Sequence, residues 1–556
     1  MILCAAAMSM FTISAQCKEE TPPPPAINIP QSAGAEDVIA YARIKNLSEF
    51  LGVLDHWGGQ INPNLPPGAV KQAVGQYMGD ESLSAIETGK PILISVLNPK
   101  EFPNPLVMYL PVKNAEKIKQ GIQAKGSFTV VKDDMVIVGD DQPSITKGTE
   151  LWEKLKPLAE KPLSSSVVLS ANVDKIMSLY GQDIRQKIKD MQSQMMMMQQ
   201  MQSGSTDMTK QQEQIAAQSE EMIKMIEGLK DVGIEINATN QKMDFSFLGA
   251  AKTGSDLATL FSTGASPHPA IYKHLPEGAV RIAFAADTDT ITEFKSKLSD
   301  RFLSQSGLLD KEQKKMVEKF QSLQNEALAN EMAVSAFVDG VSGLNAVTLY
   351  TIKDKEKAME MIRMTPKQLE MGSNEAQGLT ITTEYKENAK TVDGVKVHSM
   401  KMNMNFQNPM AAQQMMMFMP QGGLNIEAAV VDDVMITATG VPIDDTIRAI
   451  KNKTGSMNIQ AMSQYAKGGQ LYGDLSINNL LKSLLGPMFT MMSMGSQGPN
   501  PVEMLGNIDA PPLTFFGSMH DNKAMCNASL SLETILKIKE VFQQMGMGGG
   551  AQPSGM

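Results

Sequence analysis

Cysteine is nearly missing from this chain: 556 residues include three, Cys4, Cys17 and Cys526. With Cys4 and Cys17 both at the extreme N-terminus, Cys526 stands alone in the body of the chain, which leaves no intrachain disulfide in a mature protein. Aromatic residues are also scarce, at 2 Trp and 9 Tyr. Positive charge is never concentrated: the net charge is −10, and no block of Lys and Arg stands apart. The counterion release that dominates nucleic-acid affinity therefore has no source, and nucleic acid is excluded as a partner. After the first residues no apolar run reaches the roughly 18 residues of a membrane-spanning helix, so none is expected in the mature chain. The chain also lacks a His-Glu-x-x-His pair, a phosphate-binding Gly-rich loop ending in Lys-Ser or Lys-Thr, a Gly-x-Ser-x-Gly elbow and a Cys pair for zinc. No catalytic chemistry and no cofactor is implied.

What the chain does have is methionine, 44 residues of it. Flexible thioethers take over apolar surface that aromatic rings often supply. With 42% hydrophobic residues, the length suffices for two to four domains of about 100–200 residues each.

The N-terminus gives an address. MILCAAAMSMFTISAQCKEETPPPP opens with an apolar run from Ile2 to Ile13, too short to span a bilayer but suited to the core of a signal peptide over residues 1–17. Ser14, Ala15, Gln16 and Cys17, followed by a polar, proline-rich stretch, resemble the processing site of bacterial lipoproteins. Gln16 departs from that family's small residue before the Cys. The resemblance implies that Cys17 is lipidated, that residues 18–35 tether the folded part to a membrane, and that Lys18 favours the outer membrane. Cleavage after Ala15 without lipidation is the alternative.

The body carries an internal repeat. Ser95, Val107, Lys113, Glu116, Lys117 and Ile122 recur as Ser335, Val347, Lys353, Glu356, Lys357 and Ile362 at a constant offset of 240. VVKDDMVIVGDDQP and VVDDVMITATGVP match at an offset of 299, and the segment around Lys242 matches that around Lys523 at 281. Three matches in the same order point to two tandem halves, 36–262 and 276–543, joined by a linker at 263–275. Strand and helix patterning divides the halves into sub-modules of about 36–160 and 163–262, then 276–453 and 467–543. The expected class is α+β, with antiparallel sheets packed by helices on one face, and a disordered tail at 544–556.

The jump in offset places about 59 extra residues between Ile362 and Asp432. This insertion contains VKVHSMKMNMNFQNPMAAQQMMMFM. As a strand, VKVHSMKMNMNF puts His398, Met400, Met402, Met404 and Phe406 on one face. Apolar alternation first signals burial in a core. A soft Cu(I) site using His398, Met400, Met402 and Met404 is the sharper alternative, since thioethers and imidazole suit that ion. Met415, Met416, Met417 and Met419 form a candidate partner surface, as flexible Met suits adaptable contact. Ser144-Ile-Thr-Lys147 superficially looks like a penicillin-binding motif, but its companions come in the wrong order, and Ser144 reads as a helix start. Asp133-Asp134, Asp432-Asp433 and His520-Asp521 read as turns.

Repeated strand-helix modules beginning near Glu36-Asp-Val-Ile-Ala-Tyr and Pro276-Glu-Gly-Ala-Val are similar to secreted bacterial repeat proteins and lipoproteins carried as domains of unknown function. That resemblance rests on architecture and transfers no site. The expectation is a non-catalytic envelope protein, periplasmic or on the outer membrane, that binds a protein partner or an apolar ligand through its repeat surfaces and Met-rich connections. A Cu(I)-handling protein is the first alternative and an unrecognised hydrolase the second.

Overall fold

A computed structural model describes residues 27–30, 34–203, 219–220, 223–262, 270–285, 311–339, 343–371, 379–407, 423–454, 470–483 and 510–544. The signal peptide, Cys17, Met415 to Met419 and the tail beyond Gln544 lie outside them. The chain forms two compact units. One is built from Ile27–Ile184, Ile226–Ala258 and the chain from Lys523, the other from Arg185–Met225 and Thr259–Asn522.

The first unit is an antiparallel sheet. Its strands are β1 (Val38–Ile44), β2 (Ile92–Leu97), β3 (Leu106–Pro111), β4 (Phe128–Lys132), β5 (Met135–Gly139), β6 (Val167–Asn172), β7 (Leu229–Ala238) and β8 (Lys242–Ala251). Their spatial order is β4-β5-β3-β2-β1-β6-β7-β8, and the far C-terminal strand Lys523–Ser531 then pairs with β8 from Lys523↔Ala250 to Ser531↔Lys242. The last helix, Leu532–Gln544, packs Leu532, Ile535 and Leu536 around Val53, Trp57 and Ala238. The halves expected from the repeat are therefore not the compact units, because the end of the second half completes the sheet of the first.

Helices cover both faces of this sheet, where one face was expected. Helix Gln142–Glu160 buries Ile145, Trp152 and Leu155 against Leu93, Val107, Tyr109 and Ile137. On the opposite face Leu51, Ile118 and Ile122 meet Ile92, Leu110, Val136 and Val138. β5 is buried at every position, and its unbroken apolar run MVIVG is the pattern of a strand covered on both sides. Asn114 caps helix Ala115–Gln123 by accepting from the Lys117 N–H at 3.1 Å. Ser144 lies in the first turn of its helix, where Asp141 is the cap, and its hydroxyl donates to the Asn104 carbonyl at 2.6 Å.

The second unit repeats the pairing scheme. Its strands are β9 (Val280–Ala285), β10 (Leu328–Asp339), β11 (Gly343–Ile352), β12 (Leu379–Val392), β13 (Val395–Phe406), β14 (Gly423–Val431), β15 (Val434–Thr439), β16 (Leu471–Leu475) and β17 (Leu513–His520). They run β12-β13-β14-β15-β11-β10-β9-β16-β17. β9 lies between β10 and β16 as β1 lies between β2 and β6, and β15 joins β11 to β14 as β5 joins β3 to β4. The hairpin β12–β13 is the addition. Asp133 and Asp432 each open a two-residue turn in the left-handed region, with φ of 54° and 51°. In the second unit the last residues of the expected linker pack inside: Ile271, Tyr272 and Leu275 are core side chains. Arg281 and the Tyr272 hydroxyl both hydrogen-bond the buried Asp474 carboxylate.

Candidate functional site

The Met- and His-bearing strand of the insertion is now placed. Asp393 and Gly394, with φ of 48° and 82°, make a tight Asp-Gly turn between β12 and β13. This fixes a register in which Met400 faces Tyr385, Met402 faces Thr383 and Met404 faces Ile381. β14 flanks the other side, with Ala428 opposite His398, Ile426 opposite Met400 and Leu424 opposite Met402.

Side chains directly opposite each other in a sheet share a face. Ala428 packs in a cluster with Met361, Ile362 and Met435, and Tyr385, Met359 and Met364 pack against it. Helix Lys355–Glu370 therefore covers the face that carries His398 and Met400. Its placement is reinforced outside the core, where Arg363 donates twice to Glu387 of β12, at 2.8 and 3.1 Å.

Burial along β13 is graded. His398, Met400 and Met402 are 1%, 3% and 5% exposed, whereas Met404 and Phe406 are half-buried. Val397, on the opposite face, is core as well. The strand thus begins between two cores and ends with Met404 part-exposed, so the four candidate metal ligands do not share one environment. Tyr385 Oη and His398 Nδ1 are 2.8 Å apart with the rings stacked. His398 Nε2 is buried and has no hydrogen-bond partner. Burial pushes the imidazole below its ordinary pKa, with Arg363 and Lys396 adding to that and Glu387 opposing it, so the ring is neutral near pH 7. Among the described residues no group of three His, Cys, Asp or Glu could hold a metal ion.

A second feature lies in the first unit. β4 has one partner strand, β5, among the described residues. It presents Phe128 and Val131, each 42% exposed, and Leu106 at the start of β3 is 54% exposed. An open edge with apolar side chains is a template for another strand. The outer strand of the other sheet, β12, is guarded differently: Glu384, Lys386 and Glu387 are exposed, and its register shifts between Lys386 and Lys390.

His520 and Asp521 sit at a turn, with Nδ1 3.2 Å from the carboxylate. Cys526 is half-buried, and burial raises its thiol pKa. Reading the sequence missed Tyr385, since TTEYKENAK has no apolar alternation. It also missed Met359, Met361 and Met364, which look like ordinary helix core. No helix among the described residues is long and apolar enough to cross a membrane.

The chain matches no known family model, and it matches neither the curated proteins nor the solved structures with which it was compared.

Proposed function

We propose that this is a non-catalytic protein of the cell envelope, exported and lipid-anchored through Cys17, that binds a polypeptide partner along the open edge of β4. The observation that carries this reading is the pairing of a strand edge that has no neighbouring strand among the described residues with exposed Phe128 and Val131. Added strands gain affinity from main-chain hydrogen bonds and selectivity from alternate side chains. The like order of strands in the two units supports an origin from two tandem halves. In that correspondence β14 is the counterpart of β4, and β14 already carries an added antiparallel strand, β13. The Met-rich connection with Met415, Met416, Met417 and Met419 is a second contact in this reading.

A photo-crosslinking residue at position 128 or 131 is expected to capture one polypeptide in intact cells, and the same residue at Tyr77, exposed elsewhere, to capture none. Val131→Lys should abolish capture from position 128. Capture that survives this charge, or none from either position, removes the edge-binding reading. Anchoring is checked separately by fractionation: Cys17→Ser should move the protein from the membrane to the soluble fraction, and an unchanged distribution argues for plain cleavage after Ala15.

A further inference from the structure

The stretch around His398 carries an unspent coordination capacity. A neutral imidazole offers one N–H and one lone pair, and here Nδ1 is engaged by Tyr385 Oη at 2.8 Å while Nε2 is buried without a partner. An unpaired buried polar atom costs stability. It also leaves a ring nitrogen without a partner on a sheet face that methionine shares. Ala428, opposite His398, packs in one cluster with Met361. Met400 lies two residues along the same strand face, and Met361, 5% exposed, is buried on the covering helix with Met359 and Met364 beside it.

We propose that His398 Nε2, Met400 and Met361 form a binding site for a soft monovalent ion, Cu(I). The ligand chemistry selects it: thioethers are soft and neutral, imidazole is tolerated, and hard or strongly charged ions would find no carboxylate in the set. Met361 comes from a different element and supplies the ligand that His398 and Met400, neighbours about 7 Å apart on one strand face, need from another segment to enclose a single ion. Tyr385 is a positioning residue. When its oxygen accepts from Nδ1–H, Nε2 carries the lone pair, which is the arrangement that orients metal-binding histidines. Met402 and Met404 lie farther along the strand and serve as packing.

Anaerobic titration of the full-length protein with Cu(I) against a chromophoric chelator tests this. Wild type is expected to hold one equivalent that Met400→Leu and Met361→Leu each lose, while both melt within a few degrees of wild type because Leu conserves the apolar volume. Tyr385→Phe should keep the ion but weaken it by about 10–100-fold. X-ray absorption at the copper edge should show one nitrogen with two sulfur neighbours. Equal uptake by wild type and both Leu variants overturns the site, as does a wild type that binds no Cu(I). The residues belong to the second unit, so failure here leaves the partner reading at β4 standing, and failure there leaves this one.

Discussion

Deleting residues 523–556 is expected to unfold the first unit and spare the second. The strand Lys523–Ser531 is the neighbour of β8 over nine residue pairs, and Lys523 Nζ also donates to the Ile27 carbonyl at 3.1 Å. The helix behind it contributes buried Leu532 and Val541. Loss of a single large buried side chain typically costs about 2–5 kcal/mol, and a domain's whole stability is about 5–15 kcal/mol. Removing several such side chains and a full strand ladder together exceeds what the unit can lose. Both tryptophans, Trp57 and Trp152, are core residues of that unit, so their fluorescence reports on it alone. The truncated chain should show exposed-tryptophan emission and no tryptophan melting transition, yet retain slow amide exchange in β10, β11 and β15. Native tryptophan emission after truncation would show that the C-terminal strand is dispensable.

The second unit should become less stable as pH rises from about 5 to 8. Glu331 is 9% exposed, and burial pushes its carboxyl up to about 7, with Asp433 adding to the rise while the N–H groups of Ile271 and Ala270 and the Lys273 charge oppose it. In the unfolded chain the group titrates near 4.5. The folded state therefore holds the proton more tightly. The resulting stabilisation is complete below about 4.5 and is lost as pH climbs through about 7, a swing of about 3 kcal/mol at most. Two histidines work the other way. His274, whose Nδ1 lies 2.9 Å from the Thr454 carbonyl, and His398 are both held below their ordinary pKa mainly by burial, so each removes stability as pH falls below the usual histidine range. Comparing wild type with Glu331→Gln isolates the carboxyl, because the amide keeps an acceptor for the Ile271 N–H. The variant should gain relative stability at pH 8 and lose that advantage by pH 5. A difference that stays constant with pH would show that Glu331 does not titrate in this window.

Local signals carried much of the architecture. Asn114, the Asp133 and Asp432 turns and the alternation in VKVHSMKMNMNF each determine a cap, a reversal or a strand through interactions within a few residues, and each is visible in the chain. What stayed hidden depends on distant partners. Nothing near Lys523 says that its strand pairs with β8, roughly 270 residues earlier in the chain. The burial of Ile271, Tyr272 and Leu275 could not be told from a linker, since the preceding SPHPA, with its Pro and small residues, masks so short an apolar group. The candidate site was half legible: the face shared by His398 and Met400 follows from period two, while Tyr385 and Met361 enter only through cross-strand register and helix packing.

The C-terminal closure of the first sheet also has a kinetic side. β8 must wait for a strand roughly 270 residues further along the chain, and contacts that span such separations form late because the loop must close before the pairing repays it. During synthesis the earliest segment to emerge is thus the last to be finished. The chain's own order of connection postpones completion of the first unit until Lys523–Ser531 has been made, so the second unit has its strands available before the first is closed.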